Sequence, residues 1–226
     1  MIDERGRLNY LIKNTSYTLP YLMETWQAAI NAAVWTTVLG GTGTVTRDIT
    51  EEPYQKVILD GPANADTARI YTVAEWQMAP TLWGANTFNK LLIMEWEAKF
   101  VTVASIENTE FFMGLAAGAA ATRSAMNMVG FCLQGDALYS LTDNGGVEDS
   151  QAIAGITLTN WNKYAVVAYN GILEFWVNET MEIRNATAAD QPDYNMHGMF
   201  YLEEEAGANS GELHVAHTNI RPGVIL

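Results

Sequence analysis

Between Trp161 and Asn178 two β-rich runs, Tyr164–Tyr169 and Ile172–Asn178, are joined by Asn170-Gly171. That dipeptide is a strong short-range hairpin signal, because a type I′ turn needs φ > 0 at both central residues. In the second run Leu173, Phe175 and Val177 share one face, while Glu174, Trp176 and Asn178 share the other, as a period of two requires. One buried and one more polar face per strand is the pattern of an antiparallel sheet packed on a second layer. A chain that repeats this grammar along its length is explained by one architecture, an antiparallel sandwich.

The grammar does repeat. Candidate strands from residue 34 onward are Val34–Val38, Thr44–Arg47, Lys56–Asp60, Ala68–Val73, Leu91–Val103, Glu110–Leu115, Asn127–Leu133, Ala137–Leu141, Tyr164–Tyr169, Ile172–Asn178, Gly198–Leu202 and Glu212–Ile220. Between them lie Gly40-Gly41-Thr42-Gly43, Gly61-Pro62-Ala63-Asn64, Gly135-Asp136 and Asp143-Asn144-Gly145-Gly146, all with turn chemistry. Short strands with turns this frequent predict an antiparallel β-sandwich rather than βαβ units. Of the 226 residues 49% are hydrophobic, enough to build a core without a disulfide, and Cys132 is the single cysteine. A lone cysteine also rules out a multi-cysteine zinc site.

Residues 1–33 read differently, and the expected division is an arm over 1–33 and a sandwich over 34–226. Pro20 precedes a stretch in which Leu22, Trp26, Ala29 and Ala33 recur at helical spacing, which predicts a short helix over 21–33. Leu22, Trp26 and Ile30 would then be apolar groups in need of a partner surface, and are the candidate assembly contacts. Arg5, Arg7 and Lys13 make this arm slightly basic ahead of an acidic body. The formal charge of −14 argues against nucleic acid or an anionic membrane as partner. No apolar run approaches the roughly 20 residues that span a bilayer, and the first residues lack the apolar stretch of a secretory signal.

Several runs in order carry a resemblance. Glu95-Trp96-Glu97-Ala98-Lys99-Phe100 leads into Phe111-Phe112-Met113-Gly114-Leu115, then Met128-Val129-Gly130-Phe131, Trp161-Asn162-Lys163-Tyr164 and Gly171–Glu179, closing on the long final strand Glu212–Ile220. Over residues 34–220 this resembles the concanavalin A-like lectin/glucanase jelly rolls, particularly those in tailed-bacteriophage particles. The resemblance implies a non-enzymatic structural protein of the virion, a capsid decoration or cement protein. It would assemble through its arm with other copies of itself and with a major capsid protein. It also implies two alternatives: a module binding surface glycans on a tail fibre or capsid, and a glycosidase.

Glu95 and Glu97 project to one face of a strand with Lys99, and two carboxylates about 5–5.5 Å apart can serve a retaining glycosidase. Laminarinase-like relatives carry a third acid downstream, where this chain has Lys99 and Phe100, so the expectation is a salt-bridged sheet face and no enzyme. His214 and His217 point to opposite faces of a strand, and with His197 they suggest no metal site. Glu203-Glu204-Glu205 and Asp143-Asn144 lack the spacing of a calcium loop. No cofactor is expected. Among the aromatics that offer a sugar-stacking platform (Trp35, Trp76, Trp83, Trp161 and Trp176), Trp176 is the best candidate, flanked by Glu174 and Asn178 on the more polar face.

Overall fold

The computed structural model describes residues 15–17, 22–50, 55–62, 65–77, 90–102, 109–117, 127–134, 137–169, 171–187, 191–192, 195–204 and 211–225. Its strands in chain order begin with β1 (Thr15–Tyr17), β2 (Leu22–Glu24), β3 (Trp35–Gly40), β4 (Thr44–Asp48), β5 (Lys56–Gly61) and β6 (Thr67–Thr72). They continue with β7 (Trp76–Gln77), β8 (Lys90–Thr102), β9 (Thr109–Ala117), β10 (Asn127–Gln134), β11 (Ala137–Asp143) and β12 (Glu148–Ile153). The last are β13 (Asn162–Tyr169), β14 (Ile172–Val177), β15 (Thr180–Asn185), β16 (Asn195–Glu204) and β17 (Gly211–Ile225).

Two antiparallel sheets form. One has nine strands in the order β15-β14-β13-β8-β17-β5-β4, with β1 and β2 also paired to β17. The other has eight in the order β12-β11-β10-β9-β16-β6-β3, with β7 on β16. The chain therefore folds as the antiparallel sandwich that the turn spacing predicts. The main core lies between the sheets. From the nine-stranded sheet it takes Trp96, Phe100, Val166, Phe175 and Leu213, and from the eight-stranded one Phe111, Met113, Phe131 and Phe200. Trp96 sits at its centre, stacked on Tyr164 at 5.9 Å and edge-on to Phe131 at 5.8 Å and Phe200 at 6.0 Å. Its indole N–H donates to Met113 Sδ at 3.4 Å.

The inner faces do not hold all the buried apolar surface. On the outer face of the nine-stranded sheet Leu91, Ile93, Ala165, Val167, Tyr169 and Trp176 form a second buried cluster. On the outer face of the eight-stranded sheet Phe112, Met128, Cys132, Leu141, Met199 and Tyr201 form a third. In that third cluster Gly114 (φ 155°) and Gly130 face each other across β9 and β10, and the Phe112 ring lies against both. A side chain on either glycine would strike the neighbouring backbone, so the pair keeps the two strands in register while the ring covers the bare backbone.

The helix expected over residues 21–33 does not form, and no helix occurs among the described residues. Leu22, Met23 and Glu24 pair with Ile220, Asn219 and Thr218 of β17 instead. Trp26 then adopts a left-handed φ of 57°, which no right-handed helix accommodates. The turn is fixed locally: Glu24 Oε1 accepts the N–H groups of Thr25 and Trp26, and Arg47 Nε donates to the Trp26 carbonyl at 2.7 Å. Trp26 is 1% exposed with its ring 5.1 Å from Trp35, and Leu22 and Ile30 are partly buried against the same core. Of the three candidate assembly contacts, Trp26 is thus covered by its own chain, and Leu22 and Ile30 only in part. The basic residues Arg5, Arg7 and Lys13 lie outside the described residues, as do Trp83, Asn170 and Glu205.

If the Trp26 region is core, Trp26→Ala should cost about 3 kcal/mol of unfolding free energy, as buried aromatic truncations do. An assembly contact would leave stability nearly unchanged. Urea denaturation of the purified chain separates the two.

Candidate functional site

Strand alternation sets the site. Because Trp96 points into the core, Glu95, Glu97 and Lys99 point out of the nine-stranded sheet from its middle strand β8. None is isolated. Glu95 pairs with Arg221 of β17, and Glu97 Oε1 lies 3.8 Å from Nζ of Lys163, its register partner on β13. Lys99 Nζ sits 5.0 Å from the centre of the Trp161 ring, a cation–π contact.

An open pocket of about 230 Å³ lies beside Glu97, lined by Trp161, Asn162, Lys163, Asn178 and Glu179 as well. The β14–β15 hairpin forms one wall. Val177 pairs with Thr180, and the two residues between them, Asn178 (φ 50°) and Glu179 (φ 70°), are both left-handed, a type I′ turn. Asn178 locks this turn to β13: its N–H donates to the Lys163 carbonyl at 2.8 Å and its Oδ1 accepts the Lys163 N–H at 3.0 Å. Its Nδ2 donates to Asn162 Oδ1 at 2.9 Å. Asn162 is 5% exposed, and its own Nδ2 donates to the Thr157 and Asn160 carbonyls at 3.0 and 2.8 Å. The pocket floor is therefore held by a chain of hydrogen bonds with little freedom to rearrange. Above it stand a half-buried indole, two carboxylates and an exposed ammonium.

The residues expected to meet a sugar are divided. Asn178 is exposed and lines the pocket. Trp176 and Glu174 do lie on the outer face, but at 1% and 0% exposure neither can touch a ligand there. Glu174 Oε1 accepts the Tyr169 hydroxyl at 2.7 Å and Oε2 accepts the Trp176 indole N–H at 3.3 Å, with Arg184 Nε 3.7 Å away. These groups satisfy one another inside the second apolar cluster. Trp35 and Trp76 are likewise buried. Trp161 was one aromatic among several in the sequence, and its partial exposure follows from a position one residue before β13 begins.

The histidines sit apart. His197, on the eight-stranded sheet, has Nδ1 2.6 Å from the Thr72 carbonyl and Nε2 3.2 Å from Glu75. His214, on the nine-stranded sheet, has Nε2 2.5 Å from Glu212 Oε2. Burial holds the His214 imidazolium below its ordinary range, with Lys56 and Lys99 adding to the effect and Glu212 opposing it. No group of three metal-ligating side chains gathers among the described residues.

Comparison with known proteins places the fold. The carbohydrate recognition domain of Emp47p superposes with a TM-score of 0.63 at 11% identity, covering 94% of this chain and 98% of that domain. A Bacillus licheniformis beta-glucanase gives 0.61 at 12% identity, over 90% and 98% of the two chains. A glycosyl hydrolase family 16 protein from Mycobacterium smegmatis gives 0.59 at 12% identity, over 91% and 100%. No protein-family model matches the chain, and no curated protein does. The chain thus has the concanavalin A-like jelly roll of lectin domains and family 16 hydrolases. Two of these three neighbours are named as hydrolases, which overturns the expectation that the sandwich marks a non-enzymatic protein. All three names concern carbohydrate, and none of them concerns a virus particle.

His214 also sets a pH dependence. With its folded affinity for protons below the ordinary 6.5, the unfolded chain takes up the proton first as pH falls. That contribution to stability is complete above pH 6.5 and declines below it. Asp48, held down to about 2 chiefly by hydrogen bonds from Thr50, acts only below its ordinary 3.8. Urea midpoints should therefore fall as pH drops below 6.5, and His214→Gln should flatten that decline.

Proposed function

We propose that this chain is a carbohydrate-recognition module that holds a sugar in the pocket beside Trp161. The observation that carries the reading is the pocket's composition: an indole face, two carboxylates and an ammonium on a floor fixed by amide hydrogen bonds. A sugar ring presents an apolar C–H face that packs on an indole and hydroxyls that donate to carboxylates and accept from an ammonium. The pocket is small and open, which suits one ring at the end of a glycan rather than a buried chain. A fold shared with a named carbohydrate recognition domain supports the reading.

The experiment is a glycan array followed by calorimetry on the best ligand. Trp161→Ala should weaken that ligand at least about tenfold, equivalent to roughly 1.4 kcal/mol, while the thermal midpoint stays close to wild type. Glu179→Gln should weaken it less, since a neutral acceptor remains. If the best ligand binds Trp161→Ala as well as wild type, the sugar lies elsewhere. Reducing-end release in the same samples reads whether bound glycan is also cut, with Glu97→Gln as the variant that tests the pocket's carboxylate in that step.

A further inference from the structure

Arg69 lies on the outer face of the eight-stranded sheet, because its neighbours Ala68 and Ile70 on β6 point into the main core. It is 5% exposed, and its Nε and Nη1 are buried with no acceptor on the protein. An arginine keeps its charge at any pH the fold meets. Other deeply buried charges in this chain are matched. Lys56 has Asp48 at 3.2 Å, and Glu174 accepts from Tyr169 and Trp176 with Arg184 nearby. Arg69 has no such match. A buried charge left unpaired by its own chain is strongly disfavoured, and an orphaned buried donor points to a partner from outside.

The surroundings fix what that partner is. Register sets Arg69 between Val38 of β3 and Tyr201 of β16, and Phe112, Cys132 and Tyr139 continue the row across β9, β10 and β11. No carboxylate is among the groups that act on the guanidinium. Burial holds it below its ordinary range, and the Tyr201 and Tyr71 phenols oppose that effect. Phenols are uncharged near neutral pH, so neither is a counter-ion. Glu203 and Glu110 face each other in the next row, where Glu203 accepts the Tyr201 hydroxyl. On the other side of Arg69 stands Tyr71, partly buried against the same outer cluster. The donor set is therefore guanidinium N–H and phenol O–H, which contains a positive charge and calls for a ligand that only accepts.

We propose that Arg69 and Tyr71 form an oxyanion site for sulfate, either inorganic or as the sulfate ester of a sugar. A sulfate group has several acceptor oxygens and no proton to donate at neutral pH, so it matches donors of this kind without leaving one of its own unpaired. Charge-assisted hydrogen bonds to a guanidinium are short and strong, and burial among aromatic and apolar side chains strengthens them. The site opens on the opposite sheet from the pocket beside Trp161 and shares no residue with it, so it stands whether or not that pocket holds a sugar. On a chain of net charge −14 anions are repelled in general, so saturable uptake of sulfate reads a built site rather than diffuse attraction.

Equilibrium dialysis of the full chain against radiolabelled sulfate, at fixed ionic strength in chloride, tests this. Wild type should show a single saturable site. Arg69→Met, which keeps an apolar stem and removes the charge, should bind at least about tenfold more weakly. Arg69→Lys, which keeps the charge without the planar fork, should fall between the two. Sulfate should also raise the thermal midpoint of wild type and leave that of Arg69→Met unchanged. Far-UV circular dichroism should show the same β spectrum for all three proteins. Competition with glucose 6-sulfate and with glucose then separates the sources: an ester that binds more tightly than inorganic sulfate marks a sulfated sugar, and equal affinity marks the free ion. A wild type that takes up neither sulfate nor the ester overturns the proposal. Uptake by Arg69→Met equal to that of wild type overturns it too, since the anion then sits elsewhere.

Discussion

The packing of Trp96 is the contact on which the rest of this architecture depends. It joins β8 and β13 of one sheet to β10 and β16 of the other through three aromatic partners within about 6 Å. Stacked and edge-on pairs of this kind contribute ~0.5–1.5 kcal/mol each beyond the area they bury. Their larger consequence is register. With Trp96 fixed inward, a slip of β8 by one residue would bring Glu95 and Glu97 into the core, where a carboxylate is strongly disfavoured. The same constraint puts Glu97 opposite Lys163 and at the rim of the pocket. The site is in this sense a by-product of how the core closes.

Alternation fixes which face a residue takes but not whether that face meets water. Glu174 and Trp176 show the difference. Both lie on the outer face, as the period of two requires, yet that face holds a second buried cluster and neither side chain is accessible. Glu174 is tolerated there because Tyr169 and Trp176 donate to its two oxygens and Arg184 stands nearby, which offsets the cost of removing a carboxylate from water. A sandwich with apolar clusters on three layers is not a pattern that hydrophobic alternation alone distinguishes from two.

Most long strands were legible because their residues are β-branched or aromatic and their ends carry glycine, asparagine or aspartate. The misses have physical causes. β12 (Glu148–Ile153) and β15 (Thr180–Asn185) are polar sheet edges, so they lack the apolar period that marks a central strand. The segment around Trp26 has helical spacing but folds by pairing with β17, a contact nearly two hundred positions away that local propensity does not register. Of the pocket, Asn178 was legible as a polar residue at a hairpin end. Trp161 was not distinguishable from its buried counterparts, because its exposure arises from where β13 starts.

The hairpin carries the last step. Two turns flank β14: Gly171, at φ 71°, precedes it where Tyr169 pairs with Ile172, and the type I′ turn Asn178-Glu179 follows it, where a glutamate accepts φ of 70°. A non-glycine residue in that region costs energy, and asparagine and aspartate tolerate it better than glutamate does. Here Asn178 offsets the cost by bonding back to both Lys163 and Asn162. The outcome is a carboxylate held at a fixed place on the pocket wall, where a glycine would leave bare backbone. Chains only 11–12% identical to this one share its fold. What separates one such sandwich from another is the chemistry carried at strand ends and turns, and in this chain the Asn178-Glu179 turn and the approach of Trp161 supply it.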